Sequence, residues 1–320
     1  MQCPETLPGT AERNPMSQVV GRFAPTPSGR MHAGNLLTAM LAWLSARKQG
    51  GEFVLRIEDL DEERCRFGDN SRILMEDLSW FGIDWDRGGD RDSFQSNRFP
   101  IYETYYKRLC DAELIYPCYC SRAALHAATA PHGSDGQVLY DGRCRKLFLS
   151  GQKPDTDRAP SYRVMVPDED IAFSDGVQGD YRENLVRDCT DFVVRRADGV
   201  YAHQLAVVVD DGLSHVSEVV RGRDLLSSTP RQIWLYRMFG FPVPKFYHIP
   251  LLLSPDGKRL SKRDGDTDVG ALRERYGTPE ALIGRLAYAV KLIDRPEPLT
   301  LRELLPEFDW GKIPRDDVRM

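Results

Sequence analysis

Residues 22–35 read RFAPTPSGRMHAGN, and the fold is decided there. A short strand (VVGRFAP, 19–25) breaks at Pro25 and Pro27 and turns at Ser28 and Gly29. It then feeds a Leu- and Ala-rich helix from about Asn35 to Lys48. A strand running into a glycine-containing turn at a helix mouth aims backbone N–H groups and the positive helix end at an anion. His32 stands where the helix starts and can donate a hydrogen bond to a phosphate, while Gly34 lets an adenine or ribose lie close against the backbone. Alone, these residues make a nucleotide site plausible but unspecific, because most isolated His-x-Gly strings are surface turns.

Outward from this stretch, a strand over Glu52–Ile57 ends in the acidic run Glu58-Asp59-Leu60-Asp61, and a helix follows over Asn70–Phe81. The strand–helix–strand–helix order predicts an α/β fold with a parallel, Rossmann-like sheet. From about Tyr116 to Asp188 the texture changes to cysteines, a HGSDG loop and many Arg and Asp residues, which reads as an inserted subdomain. Strands return with DFVVRR (191–196) and HQLAVVVDD (203–211), whose nearly continuous apolar run suits a buried parallel strand. A helix from about Thr229 to Met238, a strand FYHIPLLL (246–253) and a short helical tail complete the chain. The expected organisation is a leader over 1–17, a catalytic domain from 18–115 and 190–265, an insert over 116–189 and a helical segment over 266–320.

At 320 residues, with 41% hydrophobic and 28% charged, the composition is that of a globular protein with a real core. A net charge of -5 gives no global attraction to a polyanion, so any nucleic acid must be held by a local basic face. The longest apolar stretch, Leu36–Ala46, contains Thr38 and Ser45 and is too short to span a membrane. The first 18 residues lack the basic and apolar regions of a signal peptide, and Met16 is an alternative start. Seven cysteines, two of them in a Cys-x-Cys pair, point to reduced thiols, a metal and a cytoplasmic setting. No segment stands out as a dedicated interface, so a monomer is the default expectation.

A second constellation, SPDGKRLSKRDG over 254–265, sets a short basic loop between two turn signals. Lys262 can there close over a phosphoryl centre and offset the charge that grows in the transition state. In isolation a solvated basic loop is the better reading. Together, the two segments resemble the HIGH and KMSKS signatures of class I aminoacyl-tRNA synthetases. FAPTPSGRMHAGN, with RIEDLDEER at 56–64 and LSKRDG at 260–265, is similar to the glutamyl branch. The resemblance runs from Arg22 to Asp264, with Met31 and Ala33 at tolerant positions of the first motif.

The resemblance implies ATP-dependent activation of L-glutamate as an adenylate, with Mg2+ accompanying ATP. His32 and Lys262 would stabilise charge on the phosphates, and Gly34, Asn35 and Ser261 would join them in holding ATP. A glutamate pocket needs a cation for the side-chain carboxylate and an acid for the α-ammonium. Arg22, at the edge of the first strand, suits the first task, and Glu58, at the carboxyl end of the second strand, suits the other. The bland alternative makes Glu58 and Arg56 a helix cap and a surface ion pair. By resemblance, Arg22, Phe23, Ala24, Pro25 and Thr26, with Glu58 and Arg221, hold glutamate. Where the family carries a Tyr, this chain has His203, with Tyr201 two residues earlier.

Cys118, Cys120 and Cys144 offer three thiolates, which invite zinc and a fourth ligand. Chemistry alone favours His132 or His126 over Tyr140, since imidazole is the commoner zinc ligand. Resemblance to glutamyl-queuosine tRNA(Asp) synthetases, with their Cys-x-Cys and Tyr-x-x-x-Cys pattern, implies instead one structural Zn2+ on Cys118, Cys120, Tyr140 and Cys144. Cys3, Cys65, Cys110 and Cys189 read as ordinary residues. About 55 residues follow Arg263, too few for a further domain of ordinary size. That matches the truncated members of the family, which pass glutamate to the queuosine base of tRNA(Asp) without needing tRNA for activation. Arg143, Arg145, Lys146, Arg195 and Arg196 would help cradle RNA phosphates, or equally stand as solvated charges. The competing expectations are a shortened enzyme charging a tRNA 3' end and an inactive, zinc-stabilised RNA-binding protein.

Overall fold

The computed structural model describes residues 18–61, 65, 69–121, 139–254, 257 and 268–320. The expected leader and the basic loop with Ser261 and Lys262 lie outside the described residues, as do His126 and His132. Strand β1 (Val20–Phe23) passes through the Pro-rich turn into α1 (Ala33–Lys48), and the chain returns as β2 (Glu52–Leu55). β1 and β2 pair in parallel, from Val20 opposite Glu52 to Phe23 opposite Leu55. Leu36, Leu37, Met40, Leu41 and Leu44 of α1 are all fully buried. A helix this apolar on every side must lie inside, and α1 packs on β1, β2 and the strand beyond β1. Arg47 and Lys48 in its last turn oppose the negative helix end.

Helix α2 (Asn70–Trp80) leads to β3 (Arg87–Gly88), which joins β2 in parallel, and α3 (Phe99–Asp111) follows. The chain then makes β4 (Ile115–Cys118), a short α4 (Arg143–Leu149) and β5 (Ser161–Val164). A hairpin of β6 (Asp170–Asp175) and β7 (Gly179–Asn184) and the strand β8 (Phe192–Arg195) come next. β4, β5 and β8 form an antiparallel sheet of their own, with β5 in the middle. Beyond it lie α5 (His203–Leu213), β9 (Glu218–Gly222), α6 (Thr229–Phe239) and β10 (Lys245–Ile249).

The main sheet has the order β10-β9-β1-β2-β3, all parallel. The chain winds outward from β1 to β3, then restarts on the other side of β1 with β9 and β10. Where the order reverses, between β1 and β9, the connections leave in opposite directions and open a crevice at the strand carboxyl ends. A small parallel pair, β11 (Leu252–Leu253) with β12 (Val318–Arg319), ties the end of the chain to the segment after β10. Val269, Leu272, Leu286 and Leu304 of the C-terminal segment share one apolar cluster with α1.

The tip of the β6–β7 hairpin lies along the outer edge of β10. Gly176 N–H donates to the Phe246 carbonyl at 2.8 Å, and His248 N–H donates to the Asp175 carboxylate at 3.1 Å. The approach is close enough to require glycine: a Cβ at position 176 would lie 2.2 Å from the Tyr247 ring.

DFVVRR, expected in the catalytic domain, forms β8 beside β5 in the antiparallel sheet, and the expected strand FYHIPLLL is divided at Pro250 into β10 and β11. A third expected element changes type. HQLAVVVDD, read as a buried strand, forms the helix α5. A continuous apolar run carries no period, so β-branched Val207, Val208 and Val209 favoured the wrong choice. Tertiary partners decide the matter: Asp210 and Asp211 are adjacent and both buried, each held by its own set of donors. Among the described residues no helix is long and apolar enough to cross a membrane.

Candidate active site

The crevice holds a cavity of about 440 Å³. Its wall includes Arg22, Phe23, Ala24, Pro25 and Thr26 from the end of β1, with His32, Gly34 and Asn35 at the mouth of α1. Glu58 stands beyond β2, Arg221 near the end of β9, and His203 at the start of α5. All the described candidates for glutamate and ATP contact thus line one space. Thr38 and Asp224, not singled out from the sequence, line it as well.

At the helix mouth, His32 is the N-cap of α1. Its Nδ1 accepts the Gly34 N–H at 3.0 Å, and Asn35 Oδ1 accepts the His32 N–H at 3.1 Å. With Nδ1 accepting, the neutral ring carries its proton on Nε2, which makes that nitrogen a donor. Gly34 has a tighter task than admitting a nucleotide. A Cβ there would sit 2.9 Å from the His32 ring and displace it.

The floor is a buried charge network. Arg56 donates to Asp211 at 2.6 Å and to Glu58 at 3.1 Å, and Arg22 lies 3.6 Å from Asp211 while donating to the Val220 carbonyl at 3.0 Å. The expected Arg56–Glu58 pair therefore exists, but inside the protein, where a charge needs full compensation. Asp210 receives Gln95, Arg98 and Tyr102, and Asp211 also receives Tyr236. Burial pushes the Glu58 carboxyl up, but His203 at 3.4 Å and Arg56 outweigh it and hold it at about 2. His203 is half-exposed and faces the cavity, whereas the Tyr201 hydroxyl is bonded to Glu103 outside it.

Arg221 differs from the other two arginines. It is 6% exposed, and its guanidinium donates to three neutral groups: Thr229 Oγ1 at 2.7 Å, Gln232 Oε1 at 2.7 Å and His248 Nε2 at 3.0 Å. Among the described residues no carboxylate lies within ion-pair distance of it. Burial, aided by Arg22, lowers its pKa to about 10, so it remains charged at neutral pH. A buried cation oriented by neutral groups at a cavity wall can receive an anion.

A second cavity of about 700 Å³ shares Thr26, Glu58 and His203 with the first and runs toward Cys118, Tyr119, Cys120 and Arg163. The ligand atoms of Cys118, Cys120 and Cys144 lie within 4.8 Å of one another. The Tyr140 hydroxyl accepts the Cys144 N–H at 2.7 Å, so the phenol stands beside the thiols. Arg163 donates to Cys118 Sγ at 3.2 Å. Burial pushes the Cys118 thiol up, but this guanidinium outweighs it and favours the thiolate. Three clustered sulfurs, one tuned toward its anion, suit Zn2+. Burial pushes the Tyr140 phenol up, so its anion is costly to form.

Four of the five basic residues expected to meet RNA are locally engaged. Arg143 pairs with Asp141 at 2.6 Å, Arg145 with Asp191 at 3.1 Å and Arg196 with Asp198 at 2.6 Å. Arg195 lies over the rings of Tyr106 and Tyr201, and Lys146 is exposed. Sequence reasoning missed Asp210, Asp211, Asp175 and His248. A pair of carboxylates closing an apolar run, and a His inside an apolar strand, were the available signals.

The family model for the catalytic domain of class I tRNA synthetases (E and Q) matches residues 18–291. A glutamyl-Q tRNA(Asp) synthetase of Symbiobacterium thermophilum is 50% identical over 94% of this chain and 95% of its own length. One from Neisseria meningitidis is 44% identical over 93% and 98%. Among solved structures, a glutamate tRNA ligase from Elizabethkingia meningosepticum, in complex with its amino acid, superposes with a TM-score of 0.75 at 28% identity. The match covers 95% of this chain and 67% of that one.

Proposed function

The chain belongs to the class I tRNA synthetase (E and Q) catalytic-domain family, and we propose that it is a ligase that activates L-glutamate with ATP and passes it to the queuosine base of tRNA(Asp). The observation that carries this reading is Arg221, a buried guanidinium on the cavity wall whose partners among the described residues are neutral. It is supported by the high identity to glutamyl-Q enzymes over nearly their whole length.

In the proposed reaction Arg221, and not Arg22 as its place at the strand edge suggested, takes the glutamate side-chain carboxylate. Arg22, already turned toward Asp211, flanks the amino acid together with Phe23, Ala24, Pro25 and Thr26. Glu58, ionised at any neutral pH, receives the α-ammonium, and His203 closes the same corner. The glutamate α-carboxylate oxygen attacks the α-phosphorus of ATP, the bond to the bridging oxygen breaks, and pyrophosphate leaves. His32 donates from Nε2 to the phosphates, Gly34 and Asn35 keep that ring in place, and Ser261 and Lys262 belong to the same step. Mg2+ enters with ATP and supplies neutralising charge on its phosphates.

A hydroxyl of the queuosine cyclopentene ring then attacks the mixed anhydride, forming an ester and releasing AMP. The second cavity, which meets the first at Thr26, Glu58 and His203, is the proposed approach for that hydroxyl. Cys118, Cys120, Tyr140 and Cys144 would hold one structural Zn2+, which ties β4 to α4 in the segment proposed as an insert over 116–189. The proposed setting is cytoplasmic.

Glutamate-dependent exchange of pyrophosphate into ATP, run without tRNA, tests this reading. Exchange with glutamate and not with glutamine or aspartate is expected. Exchange that appears only after tRNA is added would point to charging of a tRNA 3' end, and none under either condition would overturn the enzyme reading.

A further inference from the structure

Arg221 is held in place by a chain of contacts that begins outside the main sheet. Asp175, at the tip of the β6–β7 hairpin, accepts the His248 Nδ1–H at 2.5 Å. The same carboxylate accepts the backbone N–H groups of Val177 at 3.0 Å, Gln178 at 2.8 Å and His248 at 3.1 Å. It is therefore fixed by its own turn before it meets the imidazole. His248 is fully buried on β10, directly opposite Arg221 of β9 in the parallel register. Its Nε2 receives the Arg221 Nε–H at 3.0 Å.

The direction of these bonds is determined. An Nδ1–H donating to Asp175 leaves Nε2 as an acceptor, which is what a guanidinium needs. Burial, with Arg221 and Arg22 nearby, lowers the His248 pKa to about 4, so the ring is neutral at physiological pH. A guanidinium can rotate about its last bond and present several faces. An acceptor at Nε fixes its plane, while Thr229 and Gln232 fix the two terminal nitrogens.

We propose that His248, locked in the Nδ1–H tautomer by Asp175, is a positioning residue that orients Arg221 for the anionic end of the substrate. His248 does not line the pocket, and its effect is exerted through Arg221 and through Thr229 Oγ1, which lies 3.1 Å from its Nε2 and itself accepts from Arg221. The inserted hairpin thereby contributes to amino-acid recognition without lining the pocket. The kinetic part of this inference rests on the proposed glutamate pocket, whereas the tether itself does not.

The two parts are tested separately. In the wild-type protein, 15N-imidazole NMR at neutral pH should show His248 neutral and protonated on Nδ1. A charged ring, or one protonated on Nε2, overturns the inference whatever the enzyme does. In pyrophosphate exchange, His248→Asn and His248→Gln are then compared. Asn reaches only the Nδ1 position, whereas Gln places an amide oxygen near Nε2. His248→Asn should raise KM for glutamate about tenfold, the loss of one hydrogen bond to a charged group, with kcat and the KM for ATP within about twofold. His248→Gln should restore KM to within about threefold of wild type. An unchanged KM for glutamate in a folded His248→Asn, or equal losses in both variants, overturns the positioning role. Absence of glutamate-dependent exchange in the wild type, with the Nδ1–H tautomer intact, sinks the proposed function and leaves the tether standing.

Discussion

The crevice is walled by residues backed by two extensive apolar clusters, one around α1 and one around α5 and α6. The thiols of Cys118, Cys120 and Cys144 instead belong to a cluster whose buried members are Tyr116, Cys118, Tyr140 and Cys144. In the first region, packing fixes the polar groups, and charges can be held ready for a ligand. In the second, the described residues contribute four buried side chains, which remove little apolar surface from water. The same chain thus preorganises one site by packing and leaves the other to the proposed metal. The difference also marks where each substitution should register: in binding and catalysis at the crevice, in local stability at the thiols.

The sharpest test of that contrast is Arg221→Met. Removing one partner of a desolvated ion pair should cut kcat/KM for glutamate on the order of 1000-fold in pyrophosphate exchange. The melting temperature should move by less than about 3 °C, because relief of the buried charge offsets the polar groups left behind. A comparable loss of stability would mean that Arg221 supports the fold rather than waiting for a ligand.

Glu58 gives the next effect. Its folded pKa of about 2 lies below the ordinary value of 4.5, so ionisation stabilises the native state. That contribution, about 3 kcal/mol, is complete above pH ~4.5 and is lost as the pH falls toward about 2. The stability difference between wild type and Glu58→Gln, from urea unfolding, should shrink steadily as the pH falls below ~4.5. A difference that stays constant down to pH ~3.5 would show that Arg56 and His203 do not hold the carboxylate as described.

Metal removal probes the other region. Native mass spectrometry should find one zinc per chain, and chelation or Cys144→Ser should lower the melting temperature by about 5 °C. Exchange should survive within severalfold, since the crevice is held by its own packing, ion pairs and hydrogen bonds. Full retention of stability after zinc is stripped would erase the contrast between the two regions. The smallest change is expected of His203→Tyr, which should alter KM for glutamate by no more than about threefold, because His203 is half-exposed and Glu58 keeps its contact with Arg56. A tenfold rise would make His203 an integral part of the pocket.

What the sequence made legible was local. β1, its turn, α1 and β2 could be read because glycine, proline and apolar spacing act over a few residues. The candidates Arg22, Glu58 and Arg221 came with those signals or with family resemblance. What stayed hidden depended on partners distant in the chain. The Asp210 and Asp211 carboxylates mean little until Arg56, Arg98, Tyr102 and Tyr236 are brought to them. That same convergence turned the expected strand into α5. His248 reads as one polar residue in an apolar strand until Asp175, 73 positions earlier, is placed beside it.

The hairpin lying along β10 has one more consequence, for association between molecules. An outer strand of a sheet carries unpaired N–H and C=O groups that can template pairing with a second chain. On this sheet one margin, β3, is two residues long, and on the other the hairpin tip occupies the Phe246 carbonyl and the His248 N–H. The turn that orients the pocket arginine therefore also covers an adhesive margin. Substitutions that free the hairpin, such as a bulky residue at Gly176, should be recognised first by a tendency to aggregate in concentrated solution.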